Sequence, residues 1–315
     1  MTVHTTVLLK ETIEALNLKP GMVVVDATLG GGGHALEALQ RVAPEGKVIA
    51  FDQDEKAIVR FQERLKGQEG EGVRSAAVLL KANFATLKDS LLSLGISSVD
   101  AIMADLGISS DQLDDPARGL SLKMDGPLDM RLSADIPLNA ADIVSGYSQE
   151  NLEYIIRTYA DERYAGRIAR AIVKARGVSA IDRTAQLREV VERAVPAAYR
   201  HGRIHPATRT FQALRMEVNG ELEALKKFLS DALELLHSGG RIAVISFHSG
   251  EDALVKESFR RAAKGCVCAP SLPECACGLV PTVRLVTRKP IVPTAEEAEA
   301  NSRSRSAKLR IAEKL

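Results

Sequence analysis

Val23-Val24-Val25-Asp26-Ala27-Thr28-Leu29-Gly30-Gly31-Gly32-Gly33-His34 is the stretch on which the reading of this chain turns. A short apolar run ends in a carboxylate, four glycines follow, and a helix begins. Without a Cβ, glycine lets the backbone approach a ligand and adopt positive φ. Where a buried strand hands over to a helix, such a run predicts a nucleotide-type cradle at the carboxyl edge of a parallel sheet.

Working outward, strand and helix alternate through the first hundred residues. Strands are predicted at Val23–Asp26, Val48–Asp52, Ala76–Leu80 and Val99–Asp105, with helical spacing over His34–Val42, over Lys56–Leu65 and up to Leu94. This alternation predicts a parallel α/β sheet. It stops after Asp105: residues 109–148 read as loop, and 149–236 as successive helices. Strand character resumes at Arg241–Ser246, after the turn Ser238-Gly239-Gly240. A helix at Asp252–Ala263 and strands at Val283–Thr287 and Ala307–Ile311 complete the chain. The expected architecture is a doubly wound sheet over 1–108 and 216–315, interrupted by an all-helical insertion over 109–215.

At 315 residues with 45% hydrophobic and 26% charged content, the chain is of ordinary globular composition. No apolar run approaches the ~20 residues of a membrane helix. The first residues, Met1–Thr6, lack a basic-then-apolar leader pattern, so a cytoplasmic location is expected. The net charge of +1 hides an asymmetry. Residues 150–215 carry 13 Lys/Arg against 7 Asp/Glu, and residues 281–315 carry 8 against 4. A polyanionic partner would suit this distribution, and so would solvated helix faces.

Gly30-x-Gly32-x-x-Ala35 fits a dinucleotide fingerprint, but a glycine run fits many patterns. Asp26 argues against NAD, because a pyrophosphate in the adjoining turn would meet a carboxylate at short range. A cofactor with an ammonium and a sulfonium, S-adenosylmethionine, would be attracted instead. Asp52, 22 residues after Gly30, is placed to accept hydrogen bonds from the vicinal hydroxyls of an adenosine ribose. The plainer account of Asp26 is a solvated strand end or a helix cap.

Several ordered blocks then carry a resemblance. They are His4–Leu9, Thr28–His34, Asp105-Leu106-Gly107-Ile108-Ser109-Ser110, Gln112-Leu113-Asp114, Asp125–Arg131, His205–Ala213, Ser246-Phe247-His248-Ser249 and Arg303–Arg310. Along nearly its full length the chain resembles the bacterial 16S rRNA cytosine-N4 methyltransferase family. The resemblance implies a class I methyltransferase fold, mostly parallel with an antiparallel strand. It implies S-adenosyl-L-methionine as cofactor, and as substrate a cytidine N4 of 16S rRNA near the decoding site of the small ribosomal subunit. Cofactor contacts are implied at Gly32, Gly33, His34, Asp52, Phe84, Asp105 and Gln112. Two departures stand out. Arg118-Gly119-Leu120-Ser121-Leu122 replaces the usual Arg-Gly-Phe-Ser-Phe, and Gly250 replaces a leucine.

The cytosine amine is a poor nucleophile because its lone pair is delocalised into the ring. An acceptor that aligns it with the methyl group would help. Asp105 suits cofactor, amine or both; the resemblance favours cofactor. His248 is a candidate proton acceptor or a structural residue, and no catalytic residue is assigned. Carbon-5 chemistry would need a cysteine nucleophile, yet all four cysteines (Cys266, Cys268, Cys275 and Cys277) lie together, far along the chain from Asp105. Their two C-x-C pairs suggest structural zinc, reactive thiols or a labile disulfide hairpin; no catalytic metal is expected.

For RNA, Arg163, Arg167, Arg170 and Lys174 are spaced to share one helix face, with Ile168, Ala171 and Ile172 behind them. Arg200, His201, Arg203, His205 and Arg209 add a second basic stretch. With aromatic content of 4% and no Trp, recognition by phosphate contact and shape is expected, with the target base unstacked for reaction. Two rival readings are a NAD-dependent oxidoreductase and a non-catalytic RNA-binding assembly factor. A homodimer is left open.

Overall fold

The computed structural model describes residues 6–68, 71–202, 204–266, 268–269, 274 and 276–315. The chain forms two compact units, Met1–Gly107 with Glu223–Leu315, and Ile108–Leu222.

The first unit holds a seven-stranded sheet. Its strands are β1 (Val23–Asp26), β2 (Lys47–Asp52), β3 (Ala77–Lys81), β4 (Val99–Asp105), β5 (Leu236–Ser246), β6 (Val283–Leu285) and β7 (Lys308–Lys314). They lie in the order β3-β2-β1-β4-β5-β7-β6. β1 to β5 pair in parallel, and β7 runs antiparallel between β5 and β6. The expected mostly parallel sheet with an antiparallel strand is therefore what the chain builds. β5 starts earlier than expected, at Leu236: the Ser238-Gly239-Gly240 segment is taken into the strand, opposite a register shift between Val99 and Ala101. Gly239 supplies the positive φ, 84°, that this irregularity uses.

Helix α1 (Leu9–Leu16) precedes β1, and α2 (Gly33–Val42), α3 (Glu55–Lys66), α4 (Glu71–Ser75) and α5 (Leu87–Ser93) connect the first strands. Side chains alternate across the sheet with period two. Val24, Val48, Ala50 and Met103 pack on one face with Ile13 of α1, Leu39 of α2 and Phe61 of α3. Val25, Ile49, Phe51 and Ile102 pack on the other with Leu87 and Leu91 of α5. Burial on both faces explains why these strands read as continuous apolar runs.

The second unit contains α6 (Ser110–Leu113), α7 (Ala140–Gly146), α8 (Gln149–Ala160), α9 (Ala165–Arg176), α10 (Thr184–Ala194), α11 (Ala197–Arg200) and α12 (Thr208–Asn219). Ile155, Ile156, Ile168, Ile172, Leu187 and Leu214 share its core. Helix α12 belongs here because Asn219, its buried last residue, accepts from Leu132 N–H at 2.8 Å and donates to Met130 C=O at 2.9 Å. The chain thus leaves this unit at Leu222, not at residue 215. Leu120 and Leu122, where aromatics were usual, pack in or against this core. Helices α13 (Glu221–Leu235), α14 (Ser249–Lys264) and α15 (Ala295–Ala300) follow. Phe228 of α13 and Phe259 of α14 complete the second face of the sheet. Among the described residues, no helix is long and apolar enough to cross a membrane.

Candidate functional site

Strand order reverses between β1 and β4, so their carboxyl ends flank a crevice of the kind that binds ligands in open α/β sheets. Four carboxylates gather around this end of the sheet: Asp26 after β1, Asp52 after β2, Asp105 after β4 and Glu251 in the first turn of α14.

Asp26 is 2% exposed. Its Oδ1 accepts from Thr28 N–H at 3.1 Å, and its buried Oδ2 has no hydrogen-bond partner among the described residues. Burial pushes its pKa up to about 7; the Thr28 hydrogen bond opposes this, and the neighbouring Asp52 charge adds to it. Asp52 ties the turn down. Its Oδ2 accepts from Gly30 N–H and its Oδ1 from Asp54 N–H, both at 2.8 Å. Burial also raises its pKa, while those two hydrogen bonds lower it.

The glycine turn has internal reasons for its composition. Gly32 has φ 73°, and a Cβ there would lie 2.1 Å from the Phe61 ring. A Cβ on Gly33 would lie 1.9 Å from Thr6 Oγ1. Gly32 caps α2 without a side-chain hydrogen bond, so the first turn of that helix presents backbone N–H groups, a favourable place for an anionic group. His34 is buried in α2, its Nδ1 3.9 Å from Asp105 Oδ2.

Asp105 is anchored through its backbone: its N–H donates to Thr28 Oγ1 at 2.6 Å. Its buried Oδ1 has no hydrogen-bond partner among the described residues. Desolvation lifts its pKa well above the carboxylate range, and the Asp26 and Glu251 charges lift it further. Glu251 is 4% exposed; its Oε2 accepts from Phe247 N–H at 2.9 Å, and its Oε1 lies 3.0 Å from His248 Nε2. His248 is also the N-cap of α14, accepting from Glu251 N–H through Nδ1. Phe84 opens the 3₁₀ turn after β3 and stacks edge-on against Phe228, centroids 5.3 Å apart, as a half-buried residue.

Six of the seven residues named for cofactor contact therefore lie in the first unit, at or just past the carboxyl ends of β1 to β4. Gln112 lies in the second unit. It is buried, and its Oε1 accepts from Ser109 N–H at 3.0 Å as half of a capping box for α6. Thr28 and Glu251 were missed by the sequence reasoning. Thr28 acts through a hydroxyl that no spacing reveals, and Glu251 stands five residues past β5 with only the Ser246–Ser249 block to point to it.

The cations of the second unit are less uniform than their spacing implies. Arg167, Arg170 and Lys174 are exposed along α9. Arg163 precedes the helix, because Asp161 ends α8 with φ 50° and α9 starts only at Ala165. Its guanidinium lies 4.8 Å from the ring centroids of both Tyr164 and Tyr199. In the second stretch, Arg200 donates to Val195 C=O, Arg209 to Asp161 C=O, and His205 Nε2 lies 2.8 Å from Glu192. Arg203 lies outside the described residues, as do His4, Thr5 and Cys275.

A family model described as the MraW methylase family matches residues 1–315. A Syntrophus aciditrophicus protein named ribosomal RNA small subunit methyltransferase H is 48% identical over 99% of this chain and 98% of its own length. Proteins of that name from Finegoldia magna and Brevibacillus brevis are 46% and 45% identical, each over 99% of this chain and 98% of their own.

Proposed function

The chain belongs to the MraW methylase family, and on that premise we propose that it transfers a methyl group from S-adenosyl-L-methionine to the exocyclic N4 of a cytidine in 16S rRNA, near the decoding site of the small ribosomal subunit. The observation that carries the reading is the carboxylate mouth of the sheet. Asp26 and Asp105 each keep a buried oxygen without a hydrogen-bond partner among the described residues, and both have raised pKa values. Burying carboxylates this way is costly unless a cation is brought to them. A sulfonium-and-ammonium cofactor fits that demand at Asp26, where a pyrophosphate does not, and a hydrogen-bond-donating amine fits it at Asp105. This disfavours a NAD enzyme, and an intact mouth disfavours a factor that only binds RNA.

When bound, S-adenosylmethionine supplies an electrophilic methyl group. The remaining work falls to the chain. Asp26 attracts the cationic end of the cofactor, and the first turn of α2 attracts its carboxylate. Asp52, held by Gly30 and Asp54, accepts from ribose hydroxyls. The half-buried Phe84 offers an apolar surface to adenine. Gly32, Gly33 and His34 shape the turn; for Gln112 a cofactor contact is what the family resemblance implies. Asp105 Oδ1 accepts a hydrogen bond from the amine and so orients its lone pair. As nitrogen gains the methyl group it must lose one proton, and a carboxylate of raised pKa can take it.

The insertion, Ile108–Leu222, is the substrate-recognition unit in this reading, its exposed cations meeting phosphates while shape selects the site. In this reading the protein works in the cytoplasm on the small subunit. Labelled S-adenosylmethionine supplied with 30S subunits, naked 16S rRNA and DNA, followed by mapping of the modified base, tests the proposal. The expected result is N4-methylcytidine at one site of the subunit rRNA. Label on carbon 5, on another base, or on none of the three substrates would overturn it.

A further inference from the structure

The cysteines take no part in the chemistry above. We infer that Cys266, Cys268 and Cys277 hold a structural zinc ion as thiolates. Their three Sγ atoms all lie within 4.8 Å of one another, brought together from both ends of a long loop between α14 and β6. Tetrahedral zinc with Zn–S of about 2.3 Å places its sulfurs about 3.8 Å apart, so a small inward movement of side chains completes the site.

The backbone around the thiols is built to converge. Gly265, φ 70°, turns the chain out of α14 immediately before Cys266. A Cβ there would lie 2.3 Å from the backbone carbon of Val280, so the outgoing and returning strands of the loop touch. Thr282 N–H donates to Ala262 C=O at 2.9 Å and closes the base. Gly278, φ 64°, follows directly after Cys277, where the chain bends. This close approach lets the C-x-C pair and Cys277 face one point despite the short spacing.

Among the described residues of 266–282 none is buried, and Leu279 and Val280 are 53% and 70% exposed. Ordering such a segment carries an entropic cost that metal coordination offsets. The donor set selects the ion: sulfur ligands favour zinc over magnesium or calcium. A multi-iron cluster would spread its cysteine sulfurs over several metal atoms, whereas these sulfurs surround one point. On binding, each of the three thiols releases its proton to solvent. The three-sulfur site carries a charge of −1, and a fourth position remains for water or a further thiol.

The full chain, purified reduced and without chelator, should contain one zinc per molecule by elemental analysis. Replacing zinc with cobalt(II) should give the intense visible bands of a tetrahedral site and sulfur-to-metal charge transfer in the near ultraviolet. Cys268→Ser and Cys277→Ser should each weaken zinc affinity at least tenfold while the far-ultraviolet dichroism stays unchanged. The inference is overturned if reduced wild-type protein fails to take up stoichiometric zinc or cobalt, if cobalt shows no sulfur charge transfer, or if folded variants bind zinc as tightly as wild type. The metal readouts on wild-type protein need no variant to fold and do not depend on methyl transfer.

Discussion

The carboxylates at the mouth of the sheet and the cations along α9 sit in opposite environments. Asp26 and Glu251 are almost fully buried, and Asp52 and Asp105 are fixed by backbone hydrogen bonds of 2.6 to 2.8 Å. Arg167, Arg170 and Lys174 stand in solvent. Burying like charges costs folding free energy, so the acidic cluster must answer to a ligand. Exposed cations cost little and are screened over about 8–10 Å of salt solution, so they specify only a field. Buried charge names its ligand more sharply than exposed charge does.

The largest effect that could break this contrast is at Asp105. Asp105→Asn should lower single-turnover methyl transfer by about 100- to 10,000-fold, while cofactor affinity, read by calorimetry, changes less than tenfold. If turnover falls only in step with cofactor affinity, Asp105 holds the cofactor and does not orient the amine.

Asp26 comes next, and its sign can be worked out. Its folded pKa, about 7, lies above the ordinary 3.8. Below pH 3.8 the group is protonated in both states. Between there and 7 the unfolded chain ionises first, so stability is lost as pH rises, in total on the order of 4 kcal/mol at 1.36 kcal/mol per pKa unit. Asp26→Asn should therefore make the cofactor-free protein more stable than wild type at pH 8 and leave the two closer at pH 4, by denaturant melts. The same change should weaken S-adenosylmethionine binding. A variant with unchanged pH dependence would show that Asp26 is not the group that strains the mouth.

The glycines show where reading the sequence stops. β1 and β4 fall on Val23–Asp26 and Val99–Asp105 as expected, because continuous apolar runs ending in a carboxylate are a local signal. β7 overlaps the strand expected at Ala307–Ile311, but its antiparallel direction is implied by the family resemblance and not by any local pattern. What fills the space beside Gly32 and Gly33 is not local: Phe61 arrives from α3 and Thr6 from the segment before α1. Gln112 likewise reads as a ligand but spends its carbonyl on a cap, and the Asp125–Arg131 block supplies internal ties, Asp125 to Arg183 and Asp129 to Arg131. Motifs mark residues that matter without distinguishing folding from binding. Gly32→Ala should accordingly destabilise the fold by about 2–4 kcal/mol through positive φ and collision with a core ring. Pairing it with Phe61→Leu should recover part of that loss in thermal melts. A Gly32→Ala protein of wild-type stability that fails only to bind cofactor would reassign the glycine to the ligand.

The smallest effect on the isolated protein belongs to α9. Arg167→Ala, Arg170→Ala and Lys174→Ala together should shift stability by only about 0.5 kcal/mol, because these side chains are exposed and the helix keeps Ile168 and Ile172 in its core. Their effect should appear in salt dependence. Each phosphate contact contributes about 0.7–0.9 to the slope of log affinity against log salt, so the triple variant should flatten that slope for 30S subunits by roughly 2–3. Arg163 sharpens the test because it shares their spacing but not their setting. Its guanidinium lies against Tyr164 and Tyr199, off the helix. Arg163→Lys keeps the charge but loses the planar contact, so it should preserve the salt slope while weakening the Tyr164–Tyr199 packing. If the triple variant leaves the slope unchanged, the α9 cations are a solvated face, and charge on the insertion says nothing about its partner.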